Sequence, residues 1–196
     1  LVPLRIVQSI FGFTAPDADL LKWSFATQRA MFRNLEGKAE VVKASIAAGE
    51  EMRAWLLPFI TQKQADPNAT GDDAVGRLIR LAANPDMKMS TERLVTNVCG
   101  LLGGAIETTS QAIVQALAEL LARPDMLKEA IAAAHEDDPT RFDGYVLEAL
   151  RFNPITGLQL RYIARDGVIG TGTPYATAVK AGQRLAACTG AAMFDP

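Results

Sequence analysis

The sequence predicts a mainly α-helical fold with a small β-sheet appended near its carboxyl end. Three observations carry that expectation. Apolar residues recur at helical spacing through most of the 196 residues. One stretch, Ser90 to Arg123, sustains a helical pattern over about 34 residues, roughly 50 Å at 1.5 Å per residue. After Pro154 the pattern gives way to short runs of β-formers set between glycines and a proline.

Taken in order, Leu1 to Phe13 reads as a helix with Leu4, Val7, Ile10 and Phe11 on one side, Pro3 in its first turn and Gly12 after its end. Thr14-Ala15-Pro16-Asp17 has the pattern of a capping box ahead of a helix that carries Leu20, Leu21, Trp23, Phe25 and Phe32. Lys38 to Gln64 is a third helix, through Val42, Ile46, Met52, Trp55, Leu56, Phe59 and Ile60, with Pro58 thinning its last turns. The linker ADPNATG, Ala65 to Gly71, has turn composition, and Asp72 is placed to cap a short helix through Leu81.

The long helix begins with Ser90 as N-cap and Glu92 in its first turn, where the helix dipole favours an acid, and Arg123-Pro124 closes it. Its apolar positions, among them Leu94, Val98, Leu101, Leu102, Ile106, Ile113, Leu117 and Leu121, are expected to leave its central half little solvent. Pro124 to His135 and Thr140 to Phe152 are two more helices. His135, the only histidine, sits at a helix end among Glu136, Asp137 and Asp138 and reads as solvated. Leu158 to Ala164, Val168-Ile169, Thr177 to Val179 and Arg184 to Cys188 are the strand candidates.

Composition bounds the function. Lys plus Arg number 20 against 22 Asp plus Glu, with no basic run, which argues against nucleic acid or an anionic membrane as partner. No apolar run is long enough for a membrane span, and no leader or basic targeting segment opens the chain. Cys99 and Cys188 lie far apart among small or apolar residues, which gives no metal-ligand set and no disulfide framework and favours a cytoplasmic compartment.

The chemistry-bearing stretch lies inside the long helix. Gly100, Gly103 and Gly104 each cost about 1 kcal/mol relative to alanine in a helix interior. Glu107-Thr108-Thr109-Ser110 then sets a carboxylate and three hydroxyls in an otherwise apolar helix. Close packing of two helices over the glycines, with the hydroxyls bonded to their own backbone, is one reading. The other is a flat ligand lying on the glycines beside a proton-handling acid and hydroxyl. Either way, helix distortion is expected between Gly103 and Thr108.

The run Gly104-Ala105-Ile106-Glu107-Thr108-Thr109 resembles the central-helix motif of the cytochromes P450, a small residue, Gly, any residue, an acid and Thr, with Ala105 where Gly is usual. Glu148-Ala149-Leu150-Arg151, inside YVLEALRFNP, looks like that family's Glu-x-x-Arg motif with its following aromatic and proline, Phe152 and Pro154. Asp195-Pro196 resembles the end of its Asn-Arg-Asp-Pro turn, with Met193 and Phe194 in the first two places. The resemblance implies a partial P450-like fold as one domain over 1–196, with a helical body over 1–157 and a β region over 158–196.

It further implies haem b lying against Gly103, Gly104 and Ala105, with Glu107 and Thr108 delivering protons and Arg161 pairing a haem propionate. Glu148 and Arg151 would form a buried structural ion pair. The helices at 14–32 and 38–64 would roof a substrate cavity, so Phe25, Phe32, Met52 and Trp55 are candidates to face it, against the plainer reading that they are core. An apolar small-molecule substrate and a redox partner of a parent protein follow from the same resemblance.

The family's axial Cys loop and its amino-terminal third are missing from the sequence, so the chain is expected to enter in the middle of a larger fold and to be inactive alone. Three readings stand. The chain is a segment of a P450 monooxygenase, a degenerate P450-like binding protein without catalysis, or an unrelated helical protein whose glycines serve packing.

Overall fold

The computed structural model describes residues 2–66, 71–87 and 89–195. Residues 67–70 of the turn-rich linker, Leu1 and the closing Pro196 lie outside the described residues. Two compact units divide the chain, Leu1–Ser110 and Gln111–Pro196.

The first unit is helical: α1 (Val2–Phe11), α2 (Asp17–Phe32), α3 (Ala39–Ala65), α4 (Ala74–Ala82), a 3₁₀ turn (Pro85–Met87) and the start of α5 (Thr91–Leu121). Its core joins Leu4 and Val7 of α1, Leu20 and Trp23 of α2, Met52, Leu56 and Ile60 of α3, Val75 and Ile79 of α4, and Leu94, Val95, Val98, Leu102 and Ile106 of α5. The α5 residues recur every four positions, which keeps one face of the helix against the core. α5 runs unbroken from Thr91 to Leu121, through the glycines and hydroxyls, so the distortion expected there does not occur. Its cap is as expected, with the Arg93 amide donating to Ser90 Oγ at 3.2 Å.

Three local expectations need correction. No capping box forms at Thr14: Pro16 holds the N-cap position of α2 with no side-chain cap bond. Asp17 instead accepts from both terminal guanidinium nitrogens of Arg5, at 3.0 and 2.7 Å, tying α2 to α1. The cap of α4 is Asp73 rather than Asp72, its side chain accepting from the Gly76 amide at 2.7 Å. The last correction concerns α5, where Leu101, Ile113, Leu117 and Leu121 are exposed.

In the second unit α6 (Pro124–Ala133) and α7 (Thr140–Phe152) pack through Ala130, Ala133 and Ala149, and Tyr145 donates to Glu129 at 2.6 Å. The β region forms two antiparallel ribbons. β1 (Gln159–Tyr162) pairs with β4 (Arg184–Ala187), Leu160 opposite Ala186, while β2 (Gly167–Ile169) pairs with β3 (Thr177–Val179), Val168 opposite Ala178. A one-turn helix α8 (Thr189–Ala192) follows, fastened by Thr189 Oγ donating to the Thr156 carbonyl at 2.6 Å. His135 is exposed just past α6. Among the described residues no helix is long and apolar enough to cross a membrane.

Candidate functional site

The 100° advance per residue divides α5 into sectors around Gly103. Val98, Leu102 and Ile106 face the core. Gly103 and Glu107 come next, facing α2: a Cβ built on Gly103 would meet Thr27 Oγ at 3.2 Å, and a Glu107 carboxylate oxygen lies 3.3 Å from the Arg33 guanidinium at the end of α2. Gly100, Gly104 and Thr108 form the third sector, and a Cβ on Gly100 or Gly104 would meet nothing within 4 Å among the described residues. The two adjacent glycines therefore do different things. Gly103 lets α2 approach closely, and Gly104 leaves a bare, open patch.

Close helix packing is thus realised at Gly103, while Gly104 leaves space open. A testable contrast follows. Gly104→Ala is expected to stabilise the chain by about 1 kcal/mol through helix propensity. Gly103→Ala should give no gain, because its methyl crowds Thr27. Urea unfolding of the two variants measures the difference.

The hydroxyls bond backward along the helix. Thr108 Oγ donates to the Gly104 carbonyl, and Ser110 Oγ donates to Ile106 at 2.7 Å. With its proton so used, Thr108 Oγ has lone pairs left to accept a hydrogen bond on the open sector. Glu107 is well sheltered, its side chain 14% exposed beside the more exposed Arg33. An acid and a hydroxyl acceptor thus stand on consecutive residues at the edge of a bare helical surface. That suits a flat, apolar ring system, as in haem, with proton traffic at its edge.

α2 supplies the residues that the sequence reading missed. Gln28, 6% exposed, donates through Nε2 to the Gly103 carbonyl at 2.7 Å, and Ser24, 1% exposed, reaches the same oxygen at 3.5 Å. Their four-residue spacing, next to Leu20 and Trp23 on the buried face of α2, is a signal that periodicity analysis could have used. Of the four roof candidates, Met52 is core and Trp55 stacks on Phe59 with centroids 4.8 Å apart, while Phe25 and Phe32 are exposed.

The remaining candidates belong to the second unit. Arg161, on β1, is exposed and donates to the Leu160 carbonyl at 2.8 Å and to Gln159 at 3.0 Å. Arg151 binds Glu148 through two nitrogens at 2.9 and 2.7 Å and donates from a third to the Met193 carbonyl at 2.7 Å. The pair forms as expected, but it is not buried: the Glu148 side chain is 56% exposed. The hydrogen bonds from Arg151 hold the Glu148 carboxyl below its ordinary range. Arg151 also lies over the Phe152 and Phe194 rings, at 4.4 and 5.5 Å, so Met193 and Phe194 fasten the closing turn to the Glu-x-x-Arg motif.

Of the cysteines, Cys99 is partly buried in α5, where desolvation pushes its thiol up and disfavours the thiolate, and Cys188 is exposed ahead of α8. Among the described residues no group of three or more His, Cys, Asp or Glu gathers to hold a metal ion. The bare patch therefore fits one face of a haem, while neither cysteine occupies a setting suited to an iron ligand.

A family model described as Cytochrome P450 matches residues 40–196. A C-19 steroid 1alpha-hydroxylase of Sorangium cellulosum is 28% identical over 84% of this chain and 39% of its own length. The Mycinamicin IV hydroxylase/epoxidase of Micromonospora griseorubida is 26% identical over 99% of this chain and 44% of its own. The chain thus spans about two fifths of the length of these curated relatives. The structure of Mycobacterium smegmatis CYP164A2 with econazole bound covers all of this chain with 46% of its own length, at a TM-score of 0.76 and 24% identity, a likeness of fold.

Proposed function

The chain belongs to the cytochrome P450 family, and we propose that it supplies the distal wall of a haem-thiolate monooxygenase acting on an apolar small molecule. The observation that carries this reading is the open sector of α5, where Gly104 meets nothing and Thr108 follows one turn later beside the sheltered Glu107. Haem b, when bound, supplies oxygen activation, chemistry that consumes protons and electrons. Gly104 is the proposed resting surface for the ring, with Arg161 as proposed partner for a propionate; Gly103, approached by Thr27 of α2, and Ala105, packed against the core, do not share that open surface, contrary to expectation.

Thr108 Oγ, its own proton bonded to the Gly104 carbonyl, accepts a hydrogen bond from a water or substrate hydroxyl and holds it at the edge of the patch. Glu107, 3.3 Å from the Arg33 guanidinium, is the acid that passes protons toward that water. The hydroxylase and epoxidase relatives support an oxygenation reaction. The substrate's apolar character rests on the apolar surroundings of α5, and electron supply by a redox partner belongs to the same proposal. Glu148 and Arg151 are proposed as structural, through their ion pair and the Arg151 bond to the Met193 carbonyl.

Carbon monoxide difference spectra of the ferrous protein test the reading. A longer protein containing this chain should give the red-shifted Soret band of a thiolate-ligated haem, unchanged by Cys99→Ala or Cys188→Ala, and the 196-residue chain alone should not give it. Loss of the band in either Cys variant would make that residue the ligand and overturn the assignment. A longer protein that binds no haem would favour a degenerate, non-catalytic relative.

A further inference from the structure

We infer that Gln28 of α2 is a positioning residue for the Glu107–Thr108 segment, a standby donor that eases opening of the α5 turn at Gly103. The role given to that segment rests on the monooxygenase reading above. Among the described residues Ser24 and Gln28 are the buried polar side chains, and both reach the one carbonyl of Gly103. Burying an amide costs free energy unless it is bonded, so packing alone would be served as well by an apolar residue. The carbonyl does not need them either. In an α-helix it already accepts from the amide four residues on, that of Glu107.

A carbonyl with two lone pairs can take two donors, the Glu107 amide and Gln28; the Gln28 contact, at 2.7 Å, is short for an N–H···O bond, whereas Ser24 stands at 3.5 Å, the limit of bonding. When the Glu107 amide lets go, the oxygen keeps a partner and the usual penalty for an orphaned acceptor falls away. Gly103 suits this role, since it has no side chain to keep α2 at a distance or to resist tilting of its peptide. The turn so eased carries Glu107, the acid proposed to move protons, and ends at Thr108. A helix that is closed in this structure is thereby prepared to open at the one place where an acid must change partners.

Amide hydrogen exchange on the 196-residue chain tests this through its sign. Gln28→Met keeps the volume and removes the donor, and it should slow exchange of the Glu107 amide by roughly fivefold, the worth of one net hydrogen bond, without slowing Val98 in the same helix. Met52→Ala, a core truncation, should accelerate both amides. If Gln28→Met accelerates Glu107 along with Val98, or leaves Glu107 unchanged, Gln28 is only packing and the inference is wrong. Should Gln28→Met fail to fold, Gln28→Asn, too short to reach the carbonyl, is read in the same way. This readout needs no haem, so it fails or holds independently of the spectroscopic test of the monooxygenase reading.

Discussion

Thr108→Ala is expected to lower the product formed per oxygen consumed by roughly ten- to hundredfold in a haem-loaded protein containing this chain, with haem content unchanged. The size follows from the bond that is lost. A hydrogen bond to a group that develops charge is worth about 1.5 to 3 kcal/mol, and each 1.36 kcal/mol is tenfold in rate. Among the described residues the Thr108 hydroxyl is bonded to Gly104 of its own helix, so removing it should cost the fold little. Thr108→Ser should restore most of the coupling, since serine can bond backward to the same carbonyl. Thr108→Val keeps the shape and should behave like alanine. Oxygen uptake, peroxide release and product measured together decide the matter, and normal coupling in both the Ala and Val variants would remove Thr108 from the proton path.

The sequence announced α5 well because its signals are local. Ser90 caps, Glu92 follows, and the apolar period is sustained. The Glu107-Thr108 pair and the Glu148–Arg151 pair were legible for the same reason, as each is a short spacing on one helix. What it could not give was the division of labour between Gly103 and Gly104. That division depends on where α2 sits, and α2 is held by Gln28, Ser24 and Arg33, some 75 positions away in sequence. Distortion at the glycines was a sound inference from propensity that tertiary packing overrode: one face of α5 is pinned to the core by Val98, Leu102 and Ile106, and the back-bonded hydroxyls fit an unbroken helix. Burial of Glu148 failed as an expectation because an apolar neighbourhood in sequence does not bury a side chain unless another element covers it. The capping error at Asp72 was a matter of one residue between two adjacent aspartates, which composition cannot separate.

Gly76→Ala, by contrast with most glycine-to-alanine changes in helices, is expected to destabilise the chain by about 1 to 3 kcal/mol, the range of overpacking. Propensity alone would predict a gain of about 1 kcal/mol. The difference is the neighbour: a Cβ on Gly76 would stand 2.1 Å from the Gly71 carbonyl oxygen, a backbone atom that cannot swing aside as a side chain would. Gly144→Ala in α7, where an added Cβ would meet nothing within 4 Å among the described residues, should show the ordinary gain. The crowded junction is centred on Asp73, which caps α4 through the Gly76 amide, bonds Lys63 of α3 at 2.8 Å and lies against Gly12, whose φ of +69° follows the end of α1. Burial pushes the Asp73 carboxyl up, but Lys63 and the Gly76 and Val75 amides outweigh it and hold the group below its ordinary value. A lowered carboxyl contributes stability that is complete above the ordinary value and is lost as pH falls through the lowered one. Asp73→Asn keeps the cap and loses the charge, so it should flatten that acid limb of the stability profile, while Asp73→Ala should add the loss of the cap, about 1 kcal/mol. Urea midpoints across the acid range measure all four variants, and a Gly76→Ala protein as stable as its parent would mean that the Gly71 segment moves aside at little cost.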